Sequence, residues 1–397
     1  MNLRDIPQVE SWLTQFEVPD LYVVEHMLRR LRYVSFEELE AWLHESVKGV
    51  LEEIEKSDGR VAVAIFPVAK PFINKFNKDK EEKLPNDSAG RIAHSLKNIE
   101  RDLPRFVELS PRDKSMRQKK VKHIIFVDDF VGTGNRFSDS WKTMVSPSVK
   151  SWCSRGWCKI WLITFAAHKS GLNRVVRKIR PLTLNQVRIN LEIDKSFFLE
   201  NESMKAVLQK YGTPLGRATQ AMGYGGLASP VIFQYGCPNN VPLMFWLRPS
   251  RASRISWRPL FPNRSVSNDV YPLFGQDFAR DALPEELWMA GHYRLALNAL
   301  EQLSNYNENH QLMLVLGLLA KGHGIAKIRN VMVLGGTEFD NVLRELKEGG
   351  LVSQDDVVTR FGKDVLARAA KPCIMDILTE KEANFFPSSF LGFQREA

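Results

Sequence analysis

The hydrophobic positions of this chain follow two periods in succession. Residues 8 to 56 carry Trp12, Phe16, Val23, Met27 and Leu31 at helical intervals. A second amphipathic run, SFEELEAWLHESVKGVLEEIEK, follows with Ser35 placed to cap it. Two or three helices are predicted there. Short continuous apolar runs come next, at Val61 to Ala69, Ile124 to Val127, Lys159 to Ala167 and Gln186 to Ile193. Runs of this length, rich in branched and aromatic residues, read as strands buried on both faces. The segments between them are long enough for right-handed crossovers. The predicted fold class is α/β, a twisted parallel sheet with helices on both faces, and a further strand is predicted over Pro230 to Tyr235.

From His310 the pattern changes to helix, short helix, turn, helix and two short extended pieces: HQLMLVLGLLAKG, IAKIRNVM, TEFDNVLRELKEGG, LVSQ and DVVTR. Thr337 reads as an N-cap and Gly349-Gly350 as a stop. The arrangement resembles a winged helix-turn-helix. Its third helix carries Glu338, Asp340, Glu345 and Glu348 against Arg344 and Lys347. A net negative helix repels backbone phosphates, so docking to a protein partner or self-association is favoured over operator binding. Three domains are expected: a helical cap over 1–58, the parallel-sheet domain over 59–268, and the winged helix with its tail over 269–397.

A chain of 397 residues exceeds a usual single core, which agrees with that division. No apolar run approaches the ~20 residues of a membrane span, and Met1 to Gln15 lacks an apolar stretch, so a cytoplasmic location without a secretory signal is expected. The four cysteines, Cys153, Cys158, Cys237 and Cys373, show no C-x-x-C spacing and do not group with histidines; reduced thiols and no zinc site are expected. The formal charge of +9 favours polyanionic partners. Its most concentrated source is Arg248, Arg251, Arg254, Arg258 and Arg264, a run without an acid and interleaved with Trp246, Trp257 and Phe261. Basic residues among aromatics suit RNA or single-stranded DNA, through phosphate neutralisation and base stacking; a solvated face or a dock for an acidic protein is the alternative.

The chemistry concentrates in His123 to Arg136, HIIFVDDFVGTGNR. An apolar strand runs into Asp128 and Asp129 and then into a glycine-rich turn. Two neighbouring acids cannot both lie unpaired in an apolar core, so at least one must meet a hydroxyl, a cation or water. A ribose presents two vicinal hydroxyls. The loop Gly132, Thr133, Gly134 and Asn135 can converge its N–H groups on a phosphate beside a helix N-terminus. Together these residues describe a sugar 5-phosphate site. Magnesium held by the acids, as in phosphatases or phosphoaspartate receivers, is the competing reading, although a D-x-D nucleophile spacing is absent.

Four apolar residues, two acids and then Thr-Gly resemble the phosphoribosyl pyrophosphate loop of type I phosphoribosyltransferases. The resemblance implies that Asp128 and Asp129 bind ribose and that Gly132, Thr133, Gly134 and Asn135 cradle its 5-phosphate. Arg136 stands where many members carry threonine, and either adds a phosphate-binding guanidinium or obstructs the pocket. Lys70, after the first strand, falls where members bind pyrophosphate, though the glycine common in that loop is missing. Two further segments, GYGGLASPVIFQYGCPNNVPLMFW and the basic-aromatic run after it, resemble phosphoribosyltransferase-like domains of bacterial conflict and antiphage systems, over roughly residues 8 to 265. There a DDF-x-G-[ST]-G loop precedes a PNN-x-P-x-x-x-W element, here Pro238, Asn239, Asn240, Val241, Pro242 and Trp246. The resemblance implies phosphoribosyl pyrophosphate or another ribose 5-phosphate compound as substrate, with Mg2+ bridging a leaving pyrophosphate. It further implies a nucleotide or nucleoside acted on by transfer or by N-glycosidic cleavage, and association with a reverse transcriptase or other defence protein. A non-catalytic nucleotide-sensing module and a transcriptional regulator remain open beside it. Asn239 and Asn240 read a base or brace a turn, and His168 either lines the pocket or is structural.

Overall fold

A computed structural model describes residues 3–68, 88–216, 218–249, 255–274, 287, 292, 295–296, 310–332 and 336–369. The chain forms two compact units, one of Leu31–Val266 with Val333–Thr337, the other of Met1–Arg30, Ser267–Met332 and Glu338–Ala397. The expected 1–58 cap is therefore divided: helices α1 (Pro7–Leu13) and α2 (Val18–Arg29) belong to the latter unit. Strand β1 (Arg32–Val34) and helix α3 (Phe36–Asp58) belong to the former.

Helix α3 follows directly from its sequence. Ser35 caps it by accepting the Glu38 N–H at 3.1 Å, and Gly59, at φ 72°, ends it with its N–H on the Glu55 carbonyl. Between these ends Leu39, Leu43, Val47, Val50, Leu51 and Ile54 recur every three or four residues and are all buried. Along the chain β2 (Val63–Pro67), α4 (Ser88–Ile99), β3 (Val107–Leu109), α5 (Asp113–Gln118) and β4 (His123–Val131) follow, then α6 (Asn135–Met144), α7 (Pro147–Ser154), β5 (Lys159–His168), α8 (Lys169–Lys178) and β6 (Val187–Ile193). The five strands make one all-parallel sheet in the order β3-β2-β4-β5-β6. The apolar stripe of α3, with Ile92 and Leu96 of α4, packs on one face. Met116, Phe137, Val149, Cys153, Leu172 and Val175 from α5 to α8 cover the other.

This strand order decides where a ligand can bind. After β2 the chain steps outward to β3 and then returns to place β4 on the other side of β2. The crossovers therefore diverge at the β2/β4 boundary and leave a crevice outside the carboxyl ends of those strands. Strand β4 is also longer than its apolar core predicts: it runs through Asp128 and Asp129 to Val131, so the acids lie within the ladder rather than beyond it. The strand predicted over Pro230 to Tyr235 appears as β7 (Val231–Phe233), paired in parallel with β1 in a separate two-stranded sheet. Neither β1 nor the edge strand β3 is signalled by its own three residues.

In the second unit the described α-helices are α1, α2, His310–Ala320, Ile325–Met332, Gly336–Glu348 and Arg360–Ala369, with an isolated antiparallel bridge between Val352 and Val358. Thr337 is not the N-cap that its residue type suggested, because the helix already begins at Gly336. Gly350, at φ 68°, lies just beyond its end. No described helix is long and apolar enough to cross a membrane. Cys153, Cys158 and Cys237 are buried free thiols, and Cys373 lies outside the described residues.

At the amino edge of the sheet, His123 ties β4 to its neighbours. Trp161 donates its indole N–H to Nδ1 at 3.0 Å, so the ring hydrogen sits on Nε2, which is 3.0 Å from an Asp58 oxygen that also receives Lys159. Burial is the main cause that lowers the His123 pKa, although Asp58 opposes it. Because the folded state prefers the neutral ring, its contribution to stability is complete above the unfolded histidine value of about 6.5 and declines as pH falls toward the lower folded value. The melting temperature is expected to drop between pH 7 and pH 5, and His123→Gln should flatten that slope, as read by thermal unfolding across the range.

Candidate functional site

Asp128 and Asp129 are 2% and 4% exposed, at the carboxyl end of the central strand. Each carboxylate turns back on the chain: the Asp129 N–H donates to Asp128 Oδ1 at 2.9 Å, and the Phe130 N–H to Asp129 Oδ1 at 2.8 Å. Arg136 then lies across both. Its Nη2 donates to Asp128 Oδ1, to Asp129 Oδ1 at 2.6 Å, and to the Phe130 carbonyl at 3.4 Å. From the other side the Tyr235 hydroxyl donates to Asp129 Oδ2 at 2.6 Å. The Tyr235 ring stacks on Phe233 and carries the Arg91 guanidinium 5.1 Å from its centre.

These contacts split the two acids chemically. Burial pushes the Asp128 pKa well above the carboxylate range, with the Asp129 charge adding to it and Arg136 opposing. Asp129 is buried equally, yet Arg136, Asp128 and Tyr235 hold its pKa below the ordinary value. Burial raises the Tyr235 phenol further, and Arg136, desolvated between two acids, stays a cation. The two buried acids are thus pushed in opposite directions, Asp128 up and Asp129 down, with one guanidinium lying across both. The cation that the buried acids demanded is supplied by the chain itself. Arg136 sits on the acids, with its guanidinium turned to Asp128 and Asp129.

The adjoining loop is fixed by close backbone packing. Gly134, at φ 75°, is the N-cap of α6 and supplies no side-chain cap, so the first N–H groups of the helix have no intrahelical acceptor. A Cβ on Gly171, at the start of α8, would stand 1.9 Å from the Gly132 carbonyl oxygen, so only glycine lets α8 approach the loop. Asn240, of the PNN element, packs its side chain against Gly132 and donates to the Tyr224 carbonyl at 2.7 Å, while the Tyr224 N–H bonds to the Asn239 carbonyl. Asn240 is thus the turn brace of the two roles considered. Thr133 and Asn135 are half-buried. Asn135 accepts from the exposed Arg174 at 3.0 Å and donates to the Tyr224 hydroxyl at 3.3 Å, which brings the Arg174 guanidinium to the rim of the loop.

His168 ends β5 with its ring edge-on to Phe130 at 5.9 Å, and burial pushes its pKa down to about 4. It is a neutral wall residue. Lys70, Arg251 and Arg254 lie outside the described residues, whereas Arg248 and Arg258 are exposed. The aromatics between those arginines turn inward: Trp246 donates to the Val241 carbonyl, Trp257 to the Met244 carbonyl, and Phe261 is fully buried. Trp246 and Trp257 remain half-buried. Tyr235, Arg174, Tyr224 and Gly171 were not singled out for the site from sequence. The glycine pair in Tyr224-Gly225-Gly226 and the glycine opening α8 were the available signals.

A family model, PRTase-CE, matches residues 9–263, well over half of the 397. The chain belongs to the PRTase-CE family. Within a PRTase-CE chain the parallel sheet, the acids and the loop form a phosphoribosyltransferase-like domain, and the match spans all five strands of that sheet. No curated protein and no solved structure matches the chain. The fit to a sugar phosphate is uneven: the loop has donors and Arg174 for an anion, while the acids are already filled. No group of three or more His, Cys, Asp or Glu side chains that could hold a metal ion comes together among the described residues.

Two substitutions test this geometry. Tyr235→Phe strips Asp129 Oδ2 of its donor and should cost about 1–3 kcal/mol, the usual penalty of a buried unsatisfied group. Gly171→Ala drives a methyl into the loop carbonyl and should cost about 1–3 kcal/mol by overpacking. Both are read by urea unfolding of the full chain.

Proposed function

We propose that this PRTase-CE chain binds a ribose 5-phosphate compound, with phosphoribosyl pyrophosphate as the leading donor, and acts at the anomeric carbon of a nucleotide or nucleoside. The reading rests on one observation, the placement of two adjacent acids and a glycine-held loop at the helix N-terminus in the crevice where the strand order reverses. In this reading Gly132, Thr133, Gly134 and Asn135 take the phosphate, with Arg174 at the rim. Asp128 and Asp129 engage the two vicinal ribose hydroxyls. The negative charge of Asp129 beside the sugar also favours a transition state in which the anomeric carbon becomes cationic. Magnesium would enter with a pyrophosphate-bearing donor.

A second reading is favoured by a specific contact. Arg136 fills the acids, as it would in a module that senses a nucleotide without turning it over. In either case we place the chain as a cytoplasmic effector of an antiphage defence system, restrained by a nucleic-acid or protein partner. The helices after His310 would serve as a winged-helix docking module.

Metabolite profiling of cells expressing the chain separates the two readings. With Asp128→Asn/Asp129→Asn, depletion of the affected nucleotide pool is expected to fall by about 100-fold or more, the usual scale for lost positioning. A sensor would leave every pool unchanged in both proteins and lose only ligand-induced stabilisation. For the arginine run, affinity for a single-stranded oligonucleotide is expected to fall roughly 50-fold between 50 and 200 mM salt if four phosphates are neutralised. Salt-independent binding removes that partner.

A further inference from the structure

Arg136 stands in the first turn of α6, within the stretch whose N–H groups face the phosphate position, yet its guanidinium reaches back to Asp128 and Asp129. One flexible side chain therefore borders both halves of the candidate site. A cation at a helix N-terminus is disfavoured by the helix dipole, and the acids offer it the nearest relief. The guanidinium is not sealed in, for the side chain is 24% exposed. It is also the chief charge holding the Asp129 pKa below its ordinary value.

From these contacts we infer that Arg136 makes the 5-phosphate the condition for sugar binding, an inference that rests on the ribose 5-phosphate reading above. An unphosphorylated sugar meets acids whose inward oxygens are taken by a charge-assisted pair, and neutral hydroxyls are a poor exchange for a guanidinium. An anion on the loop changes the balance. It attracts Arg136 away from the acids, the guanidinium moves from two carboxyls to a phosphoryl group, and Asp128 and Asp129 are released to the ribose hydroxyls. No bond to carbon is made or broken in this exchange. Its selectivity is for sugars that carry a terminal phosphate, against free nucleosides and sugars.

The test uses the full chain and three probes, methyl β-ribofuranoside, ribose 5-phosphate and sulfate, titrated by calorimetry into the wild type, Arg136→Gln and Arg136→Lys. The wild type is expected to prefer ribose 5-phosphate to the unphosphorylated riboside by at least about 100-fold. Arg136→Gln should bind the riboside at least about tenfold more tightly and sulfate more weakly, because charge-assisted contacts are exchanged. Arg136→Lys should restore the wild-type preference in part. On the unmodified protein, sulfate, which brings no proton of its own near neutral pH, should be bound with proton uptake near pH 5 as the acids lose their cation. Uptake is read from heats in buffers of different ionisation enthalpy. Riboside affinity unchanged or weaker in an Arg136→Gln protein that still binds ribose 5-phosphate overturns the coupling alone, as does sulfate binding without proton uptake. Failure of every form to bind ribose 5-phosphate overturns the coupling together with the site reading beneath it.

Discussion

Two carboxyl groups set side by side in a protein interior must be neutralised where they stand, and this requirement organises the unit around β4. An unpaired buried charge costs several kcal/mol, so each oxygen of Asp128 and Asp129 that faces inward needs a donor. Three kinds of donor meet the need: the chain's own next N–H groups, the Arg136 guanidinium from α6, and the Tyr235 hydroxyl from beyond β7. The acids thereby fasten a strand, a helix and the small second sheet to one point.

The scaffold places that point at the one edge where chemistry can occur. The β3-β2-β4-β5-β6 order parts the crossovers beside β4, and the loop after it leads straight into a helix N-terminus. Glycines at 132, 134 and 171 permit β4, α6 and α8 to meet backbone against backbone, and Asn240 fills the remaining side of Gly132. A glycine-held loop packed beside a covered acid pair is the consequence.

Much of this was legible in the residues. The branched and aromatic runs announced β2, β4, β5 and β6, and Ser35 announced the start of α3, because strand burial and helix capping are decided within a few residues. The DDF-x-GTG stretch announced the loop, since tight turns need glycine locally. Strands β1 and β3 were hidden, as three residues cannot show a period, and each exists only because a partner strand lies beside it. Thr337 misled for the same local reason: its type suits a cap, but the helix begins one residue earlier.

Sequence by itself determined the α/β class, the position of the acids and the glycine loop, because these depend on neighbours along the chain. Tertiary structure alone decided what the acids hold. Tyr235 meets Asp129 across 106 residues, and Arg136 turns back to its strand instead of outward to the loop. Folding brings those groups into the same dry volume, where the only stable arrangement is the one that cancels the charge.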